Sequence, residues 1–263
     1  MDSHQIARLM LGHSHSPAIQ ETQTRFRREL VNRWGIEPGT RVLEIGCGQG
    51  ETTSVLAAAV GPTGHVTAVD PAPPGYGTPV TLGQSADHLR QGPLGSRIAF
   101  RFGWDGSTVD DGPYDYVVLA HCSWYFDSVE RLLDQLLAAR AWAATLCFSE
   151  WDLTPHDMAQ VPHHLAVLAL AQLGDETGNI RTPLSRQRAT ALIAEAGWNI
   201  VADETADSRD LQDGRWEVGA CREAAARPGL SSLVASQFDV LLAMSELAEV
   251  TSLGSYAVVA HRS

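Results

Sequence analysis

Short apolar runs rich in β-branched residues recur along the chain, and longer stretches with helical periodicity separate them. The runs are apolar at both alternate positions, which is typical of strands buried on both faces of a sheet. They cover residues 41–46, 65–70, 98–102, 114–120, 144–149, 198–202 and 255–260. Helical patterns between them cover 52–60, 128–140 and 185–196, the last with an N-cap at Ser185 and a stop at Gly197. This alternation predicts an α/β sheet with right-handed crossovers.

Three helical segments fall outside this alternation. They are residues 1–38, with two helical stretches of which the second covers 19–34; residues 151–183, with a helix over 161–173; and residues 207–250, with helices over 215–226 and 230–247. Ligands bind at the carboxyl edge of open α/β sheets, so insertions at that edge are expected to act as lids. The alternative is that these helices only extend the core.

The charge balance narrows the classes of ligand. The 263 residues include 31 acidic and 19 basic side chains, a net charge of −12, and every basic residue in that count is arginine. The absence of lysine excludes Schiff-base chemistry, pyridoxal phosphate attachment and a P-loop lysine. The acidic balance disfavours nucleic acid and anionic membrane as partners, because both are polyanions.

The cysteines and histidines indicate neither disulfides nor a metal site. Cys47, Cys122, Cys147 and Cys221 are widely spaced and form no C-x-x-C pair, so we expect buried, reduced thiols. The histidines have no matching carboxylates or cysteines at metal-ligand spacing, and no metal is expected. Neither a secretory signal nor an apolar run of ~18 residues is present, so we expect a cytoplasmic protein.

The most specific stretch is a glycine-rich loop that directly follows the first predicted strand. Gly46, Gly48 and Gly50 stand at alternate positions, and a helical pattern begins immediately after them. Glycine lets the backbone turn tightly and approach a ligand, and a helix N-terminus adds unpaired amides and a positive dipole end. Asp70 closes the second strand, where its carboxylate can accept hydrogen bonds from both hydroxyls of a ribose.

Two kinds of nucleotide-binding loop have glycine patterns similar to this one. Dinucleotide binding requires G-x-G-x-x-G, whose third glycine would fall on Glu51. The spacing G-x-G-x-G, with Glu44 inside the preceding strand, instead resembles the first motif of the class I S-adenosylmethionine-dependent methyltransferases. The segment Tyr114–Phe126 also looks like the fourth-strand motif of that family, and the resemblance covers residues 36–150 and 184–263.

The resemblance implies an α/β fold with a seven-stranded, mostly parallel Rossmann-like sheet, helices on both faces, and N-terminal and inserted helical lid segments. It divides the chain into an N-terminal helical lid over 1–38 and a methyltransferase domain over 39–263, with helical insertions at about 151–183 and 207–250. The implied cofactor is S-adenosyl-L-methionine, and the implied product is S-adenosyl-L-homocysteine.

The resemblance also assigns residues to the cofactor. These are Glu44, Gly46, Cys47, Gly48, Gly50, Asp70, Trp104, Asp105 and His121. The glycine loop would line the methionine part, Glu44 would order that loop, and Asp70 would hold the ribose. Asp105 follows the third strand and would face the adenine amino group, while Trp104 is a neighbour able to pack on the ring.

Polar residues at the ends of the fourth and fifth strands are the candidates for catalysis. His121 is the preferred general base, because imidazole titrates near neutrality, although it could instead only hydrogen-bond the cofactor or a neighbouring backbone group. Glu150 could orient an amine or hydroxyl of the acceptor, or cap a helix. The aromatic run Trp124–Phe126 could line the substrate site or pack a helix against the sheet.

Together these features predict an enzyme that transfers a methyl group by in-line displacement to oxygen, nitrogen, sulfur or carbon of a neutral or cationic small molecule. One alternative is a protein of the same fold that binds S-adenosylmethionine but catalyses cyclisation or a pericyclic rearrangement. A weaker alternative is an NAD-binding oxidoreductase, which Glu51 disfavours. The sequence leaves the acceptor and the oligomeric state open.

Overall fold

A computed structural model describes residues 1–109, 112–174, 180–247 and 249–262. In this part of the chain, seven strands form one sheet in the order β3-β2-β1-β4-β5-β7-β6. The strands are β1 Arg41–Ile45, β2 His65–Asp70, β3 Ile98–Phe102, β4 Tyr114–Ala120, β5 Ala143–Trp151, β6 Trp198–Ala206 and β7 Ser255–Arg262. The pairs among β1 to β5 are parallel, whereas β7 is antiparallel to β5 and to β6. The predicted seven-stranded, mostly parallel Rossmann-like sheet is confirmed.

Ten α-helices occupy the described residues. They are α1 Ser3–Ala7, α2 Leu11–His15, α3 Pro17–Arg33, α4 Glu51–Ala59, α5 Leu82–Gln91, α6 Val129–Trp142, α7 Val161–Ala171, α8 Arg186–Glu195, α9 Asp213–Ala225 and α10 Ser232–Leu247. The prediction of two helices in residues 1–38 is wrong, because three form there, and α5 was not predicted. A capping box between Thr81 and Gln84 begins α5. This pair is a sequence signature of a helix N-terminus and could have predicted a short helix here.

Apolar side chains of the strands alternate between two cores. Val42 packs on one face of the sheet with Leu30 of α3 and Leu56 of α4. Leu43 packs on the opposite face with Leu136 of α6. Successive strand residues point to opposite faces, so parallel strands covered by helices on both sides bury both sets. Helix α3 is thus part of the core on its face as well as a segment that precedes the sheet.

Helices α7, α9 and α10 form a separate unit with an apolar core of its own, here called the cap. Its buried residues include Ala166 of α7, Val218 and Cys221 of α9, and Phe238 of α10. The cap joins the two inserted segments, which the sequence presented as separate lids. Residues 175–179 of the first insertion lie outside the described residues.

The expectation that every strand is buried on both faces is wrong for β6. Only Trp198 and Ala206, at its two ends, are buried, and Val201 is half exposed. The physical reason is position, because β6 is the last strand of the sheet and has β7 as its one neighbour.

Two further expectations concern the cysteines and the membrane. All four cysteines are free and buried, as predicted. Among the described residues, no helix combines the length and the apolar character needed to cross a bilayer.

Candidate active site

The glycine loop leaves β1 at the carboxyl edge of the sheet. Gly46 and Gly48 both adopt left-handed backbone conformations, with φ of 77° and 51°. A Cβ atom at Gly46 would lie 2.7 Å from Cβ of Cys122, so close packing requires glycine there. A Cβ atom at Gly48 would have no described atom within 4 Å. The loop therefore packs against the protein at Gly46 and faces open space at Gly48.

The rest of the loop prepares the start of α4. Gly50, with φ of 82°, is the N-cap residue of that helix. Cys47 is buried, and this burial raises the pKa of its thiol above the ordinary value. The Cys47 side chain thus belongs to the core, and the loop offers a ligand its backbone rather than this thiol.

Asp70 holds the loop from the end of β2. Its Oδ2 accepts a hydrogen bond from the Gly48 amide at 2.8 Å, and its Oδ1 accepts one from the Ala72 amide at 2.9 Å. Each carboxylate oxygen has a second lone pair. Asp70 therefore fixes the loop geometry and still has acceptor capacity for two ligand hydroxyls.

Glu44 is a buried carboxyl group inside β1. The hydroxyl of Thr53, in the first turns of α4, donates to its Oε2 at 2.5 Å. Burial raises the pKa of Glu44 to about 8, although the Thr53 hydrogen bond and the charge of Arg27 lower it. Glu44 ties the strand before the loop to the helix after it, mostly in its protonated form near neutral pH.

Trp104 and Asp105 follow β3 and already have partners within the protein. The Trp104 indole N–H donates to the Thr108 carbonyl at 2.8 Å, and its ring meets Trp142 edge-on with centroids 5.8 Å apart. Oδ1 of Asp105 accepts from the amide and the hydroxyl of Ser107, and these hydrogen bonds lower the pKa of Asp105. Their contacts with adenine stay predictions.

His121 is the first residue after β4. Among the described non-glycine residues it is the one with positive φ, at 51°. Its ring meets Phe26 of α3 with centroids 5.6 Å apart and Trp151 of β5 with centroids 4.7 Å apart, both edge-on. Strained backbone conformations of this kind cluster at functional sites. Helix α3 thus covers His121, the residue predicted to be catalytic.

The two ring nitrogens of His121 face different groups. Nε2 lies 3.2 Å from Oγ of Ser255 and 3.3 Å from Oγ of Ser149. Nδ1 lies 3.6 Å from Oε1 of Glu150 and has no hydrogen-bond partner among the described residues. Burial, followed by the charge of Arg27, lowers the pKa of His121 to about 3. The imidazole is therefore neutral at physiological pH.

Glu150 is almost fully buried and points toward the end of β4. Its Oε2 accepts hydrogen bonds from the amide of Ser123 at 3.0 Å and from its hydroxyl at 2.7 Å, and its Oε1 accepts from the Trp151 amide at 3.1 Å. Burial outweighs these bonds and raises the pKa of Glu150 to about 7. Glu150 therefore holds the start of the 3-10 helix Ser123–Tyr125 and also titrates near neutrality.

The aromatic residues after β4 lie in different environments. Trp124 is buried in the core that contains Val42, and Phe126 packs against the core that contains Leu43. Tyr125 keeps 51% of its surface accessible. Desolvation of its buried part, followed by the charges of Glu150 and Glu217, raises the pKa of its phenol. Of the three aromatic residues, Tyr125 is the one that offers an accessible side chain.

Trp151 stands between His121 and a second histidine, His163 of α7. The ring centroids of Trp151 and His163 are 5.3 Å apart. The amide of Leu253 donates to Nδ1 of His163 at 2.8 Å, and Nε2 lies 2.6 Å from Oε2 of Glu217 in α9. This row of side chains links the sheet edge to the cap.

Helix α3 connects the glycine loop with the cap. Arg27 pairs with Glu51, the first residue of α4, and donates a hydrogen bond to Gln23 at 2.7 Å. The amide group of Gln23 donates to Asp213 of α9 at 3.0 Å. The cover over His121 is therefore tied to both neighbouring units.

Three residues that surround His121 were not predicted from the sequence. Phe26, Ser149 and Ser255 approach His121 from α3, β5 and β7, and nothing in the local sequence at each position indicates this. The one available signal was that small polar side chains stand at the end of one apolar run, at Ser149, and at the start of another, at Ser255. Across the described residues, no group of three or more His, Cys, Asp or Glu side chains is arranged to hold a metal ion.

Comparison with known proteins supports the assignment of a family. The sequence pattern of a methyltransferase domain matches residues 19–203. Methyltransferase phomM' of Diaporthe leptostromiformis is 30% identical in a match that covers 72% of this chain and 62% of that protein. The chain thus spans less than two thirds of the length of this relative.

Solved structures agree with the family at the level of the fold. A cyclopropane-fatty-acyl-phospholipid synthase-like protein from Lactobacillus casei superimposes with a TM-score of 0.89, at 32% identity, over 98% of both chains. A SAM dependent methyltransferase from Aquifex aeolicus superimposes with a TM-score of 0.52, at 14% identity, over 99% of this chain and 98% of that chain. The chain belongs to the class I S-adenosylmethionine-dependent methyltransferases, and the predicted family and its cofactor, S-adenosylmethionine, are confirmed.

Proposed function

We propose that this chain transfers a methyl group from S-adenosylmethionine to a small-molecule acceptor that loses a proton, with Glu150 and His121 as the proton-accepting pair. One contact carries the proposal: Oε1 of Glu150 lies 3.6 Å from Nδ1 of His121, a buried atom with no hydrogen-bond partner in the described residues. When bound, the cofactor supplies a methyl group activated by the sulfonium charge.

The glycine loop fits this cofactor. The space in front of Gly48 is open, and both carboxylate oxygens of Asp70 keep a lone pair beyond the hydrogen bonds that they accept from Gly48 and Ala72. The loop amides and the N-terminus of α4 would hold the methionine part, and Asp70 would hold the ribose hydroxyls. Trp104 and Asp105 remain the proposed contacts of the adenine.

Glu150 together with His121 is a better candidate for the general base than His121 alone. A group with a pKa of about 3 is a weak base at neutral pH, whereas Glu150 has a pKa of about 7. A general base works best when its pKa is near the operating pH. The proton lost by the acceptor would therefore pass to Glu150, whose neutral form suits its buried position.

The helical cover favours a small acceptor. We propose that residues 1–38 act as a lid and that the insertions at 151–183 and 207–250 supply the cap, around a methyltransferase domain over 39–263. Phe26 contacts His121, and Gln23 joins α3 to the cap. Methyl transfer is accelerated mainly by holding the reactants in line and excluding water, which such a cover achieves.

Thermal unfolding with added ligands tests the cofactor half of the proposal. S-adenosylhomocysteine at about 100 times its dissociation constant would stabilise the fold by about 2.7 kcal/mol. Each kcal/mol raises the midpoint of a domain of this size by roughly 2–4 °C. Asp70→Ala should abolish this shift, whereas Asp87→Ala, at an exposed position paired with Arg90, should retain it. A shift with NAD alone, or none with the adenosyl ligand, would contradict the proposal.

A product screen tests the reaction. The protein is incubated with S-adenosylmethionine and candidate acceptors that carry O–H, N–H, S–H or acidic C–H groups, and S-adenosylhomocysteine is measured. Release of one S-adenosylhomocysteine per methylated product is the expected result. A rearranged or cyclised product with intact cofactor would instead favour a cyclase on the same fold.

A further inference from the structure

The hydroxyl group of Ser255 has one neighbour that can only accept a hydrogen bond. Its oxygen lies 2.9 Å from the backbone carbonyl of Glu150, to which it donates. A serine hydroxyl has one proton, so its oxygen can only accept hydrogen bonds from its other neighbours. One of those neighbours is Nε2 of His121, at 3.2 Å.

We propose that Ser255 is a positioning residue that keeps the proton of the neutral His121 ring on Nε2, so that the lone pair of Nδ1 faces Glu150. In the opposite tautomer, the lone pair of Nε2 would face the lone pairs of the Ser255 oxygen at 3.2 Å. Nδ1 and Oε1 of Glu150 are 3.6 Å apart, beyond hydrogen-bond distance in either tautomer, so the contact with Ser255 decides between the two tautomers.

Ser149 offers a matched comparison on the neighbouring strand. Its hydroxyl lies 3.3 Å from Nε2 of His121 and 3.2 Å from Oγ of Ser255. With its one proton, this hydroxyl can either donate to Ser255 and accept from Nε2 or donate to Nε2, so it is compatible with both tautomers. Ser255 therefore determines the tautomer, and Ser149 follows it.

In the second histidine–glutamate pair, His163 and Glu217, the protonated nitrogen of the ring is the one near the carboxylate. Nδ1 of His163 accepts a hydrogen bond from the Leu253 amide, so the ring proton lies on Nε2. Nε2 is 2.6 Å from Oε2 of Glu217, although the two atoms lack the geometry of a hydrogen bond. The protonated nitrogen of His163 is thus the one near its carboxylate, whereas His121 places a lone pair near Glu150. Leu253 and Ser255, at the entry to β7, set both arrangements.

The catalytic consequence rests on the proposed function. When Glu150 has taken the proton lost by the acceptor, the resulting carboxylic acid faces the Nδ1 lone pair at 3.6 Å rather than an N–H group, and this lone pair favours the protonated form electrostatically. The groups that bear on the protonation of Glu150 are Ser123 and the Trp151 amide, which donate hydrogen bonds to it, and His121, whose Nδ1 lies 3.6 Å from Oε1. Ser255 would thereby make the protonated state of Glu150 accessible without contacting the acceptor.

Nitrogen-15 NMR of histidine-labelled protein reads the tautomer directly. The His121 signals are assigned by their loss in His121→Gln, and long-range proton–nitrogen correlations identify the protonated nitrogen. Wild type and Ser149→Ala should show a proton on Nε2. Ser255→Ala should shift His121 to a mixture or to the Nδ1 tautomer, and Ser255→Thr, which keeps a hydroxyl, should restore the wild-type pattern.

A proton on Nδ1 in the wild type, or an unchanged Nε2 tautomer in a folded Ser255→Ala variant, would overturn the proposal. The wild-type spectrum alone decides the first point even if every variant unfolds. The measurement needs neither cofactor nor acceptor, so it is independent of the proposed function. If the tautomer is as expected and Glu150→Gln keeps full methyl transfer, the proposed function fails while the tautomer assignment stands.

Discussion

The two halves of the candidate site differ in how far apart along the sequence their contacting residues lie. In the cofactor half, the contact between Gly48 and Asp70 joins residues 22 positions apart. In the acceptor half, the contact between His121 and Ser255 joins residues 134 positions apart. The first half consists of backbone shaped by glycines, whereas the second consists of side chains brought together by the sheet. A local motif can therefore reveal the cofactor, but the acceptor side depends on tertiary structure.

Replacing Glu150 should give the largest effect. General acid–base groups contribute about 100- to 10,000-fold to rate, so Glu150→Gln should lower kcat within this range. Because protonated Glu150 cannot accept a proton, wild-type kcat/KM should fall about tenfold per pH unit below its pKa of about 7. Steady-state kinetics across pH with any acceptor found in the screen measures both effects.

Two comparisons check this prediction. Glu195→Gln changes an exposed carboxylate of α8 paired with Arg188, and it should leave kcat unchanged. The pH limb near 7 should disappear in Glu150→Gln. If the variant keeps the wild-type limb, another group is the base.

Two alanine substitutions in the loop should separate folding from binding. Gly46→Ala places Cβ 2.7 Å from Cβ of Cys122 and should lower the free energy of unfolding by roughly 1–3 kcal/mol. Gly48→Ala meets no described atom within 4 Å and should cost only the backbone strain, about 1 kcal/mol. It should nevertheless weaken S-adenosylhomocysteine binding, because the methyl group enters the proposed cofactor space.

Urea unfolding and titration calorimetry measure these two effects. Equal destabilisation by both substitutions would show that the open space at Gly48 is filled by protein. Normal S-adenosylhomocysteine affinity in Gly48→Ala would remove this loop position from the cofactor site.

A third effect is the pH dependence of stability. Burial raises the pKa of Glu44 from 4.5 to about 8, so the folded protein binds a proton that the unfolded chain has lost. This contribution to stability is fully present below pH 4.5 and is lost as the pH rises through about 8, at up to about 1.4 kcal/mol per pH unit. Glu44→Gln should flatten the decline in unfolding free energy over this window.

A second substitution sharpens the test of Glu44. The Thr53 hydrogen bond lowers the pKa of this carboxyl group, so Thr53→Val should extend the decline to higher pH. Urea unfolding at several pH values provides the data. A slope that is unchanged in Glu44→Gln would contradict the assignment, since Glu150 would then account for all of it.

The sequence predicted those elements whose signals are local. Apolar runs predicted all seven strands, and Ser185 and Gly197 predicted both ends of α8, because an N-cap side chain and a left-handed glycine act on their own helix. The burial of β6 was overestimated, because its place at the edge of the sheet depends on strand order. A sequence pattern contains no direct record of that order.

The candidate site shows the same division. The glycines and Asp70 could be found because their spacing along the chain reflects their geometry. Ser255 could not, because its approach to His121 depends on the antiparallel register that places it beside Trp151. The low pKa of His121 was also hidden, since Phe26 and Arg27 come from a helix that precedes the sheet by many residues.

The most direct test of methyl transfer uses S-adenosylmethionine with a deuterated methyl group. The protein is incubated with this cofactor and the pooled acceptors, and mass spectrometry follows both products. We predict an acceptor that carries CD3 in place of one hydrogen, an equal amount of S-adenosylhomocysteine, and formation of both slowed about 100- to 10,000-fold in Glu150→Gln. A product formed without deuterium while the cofactor stays intact would contradict this prediction.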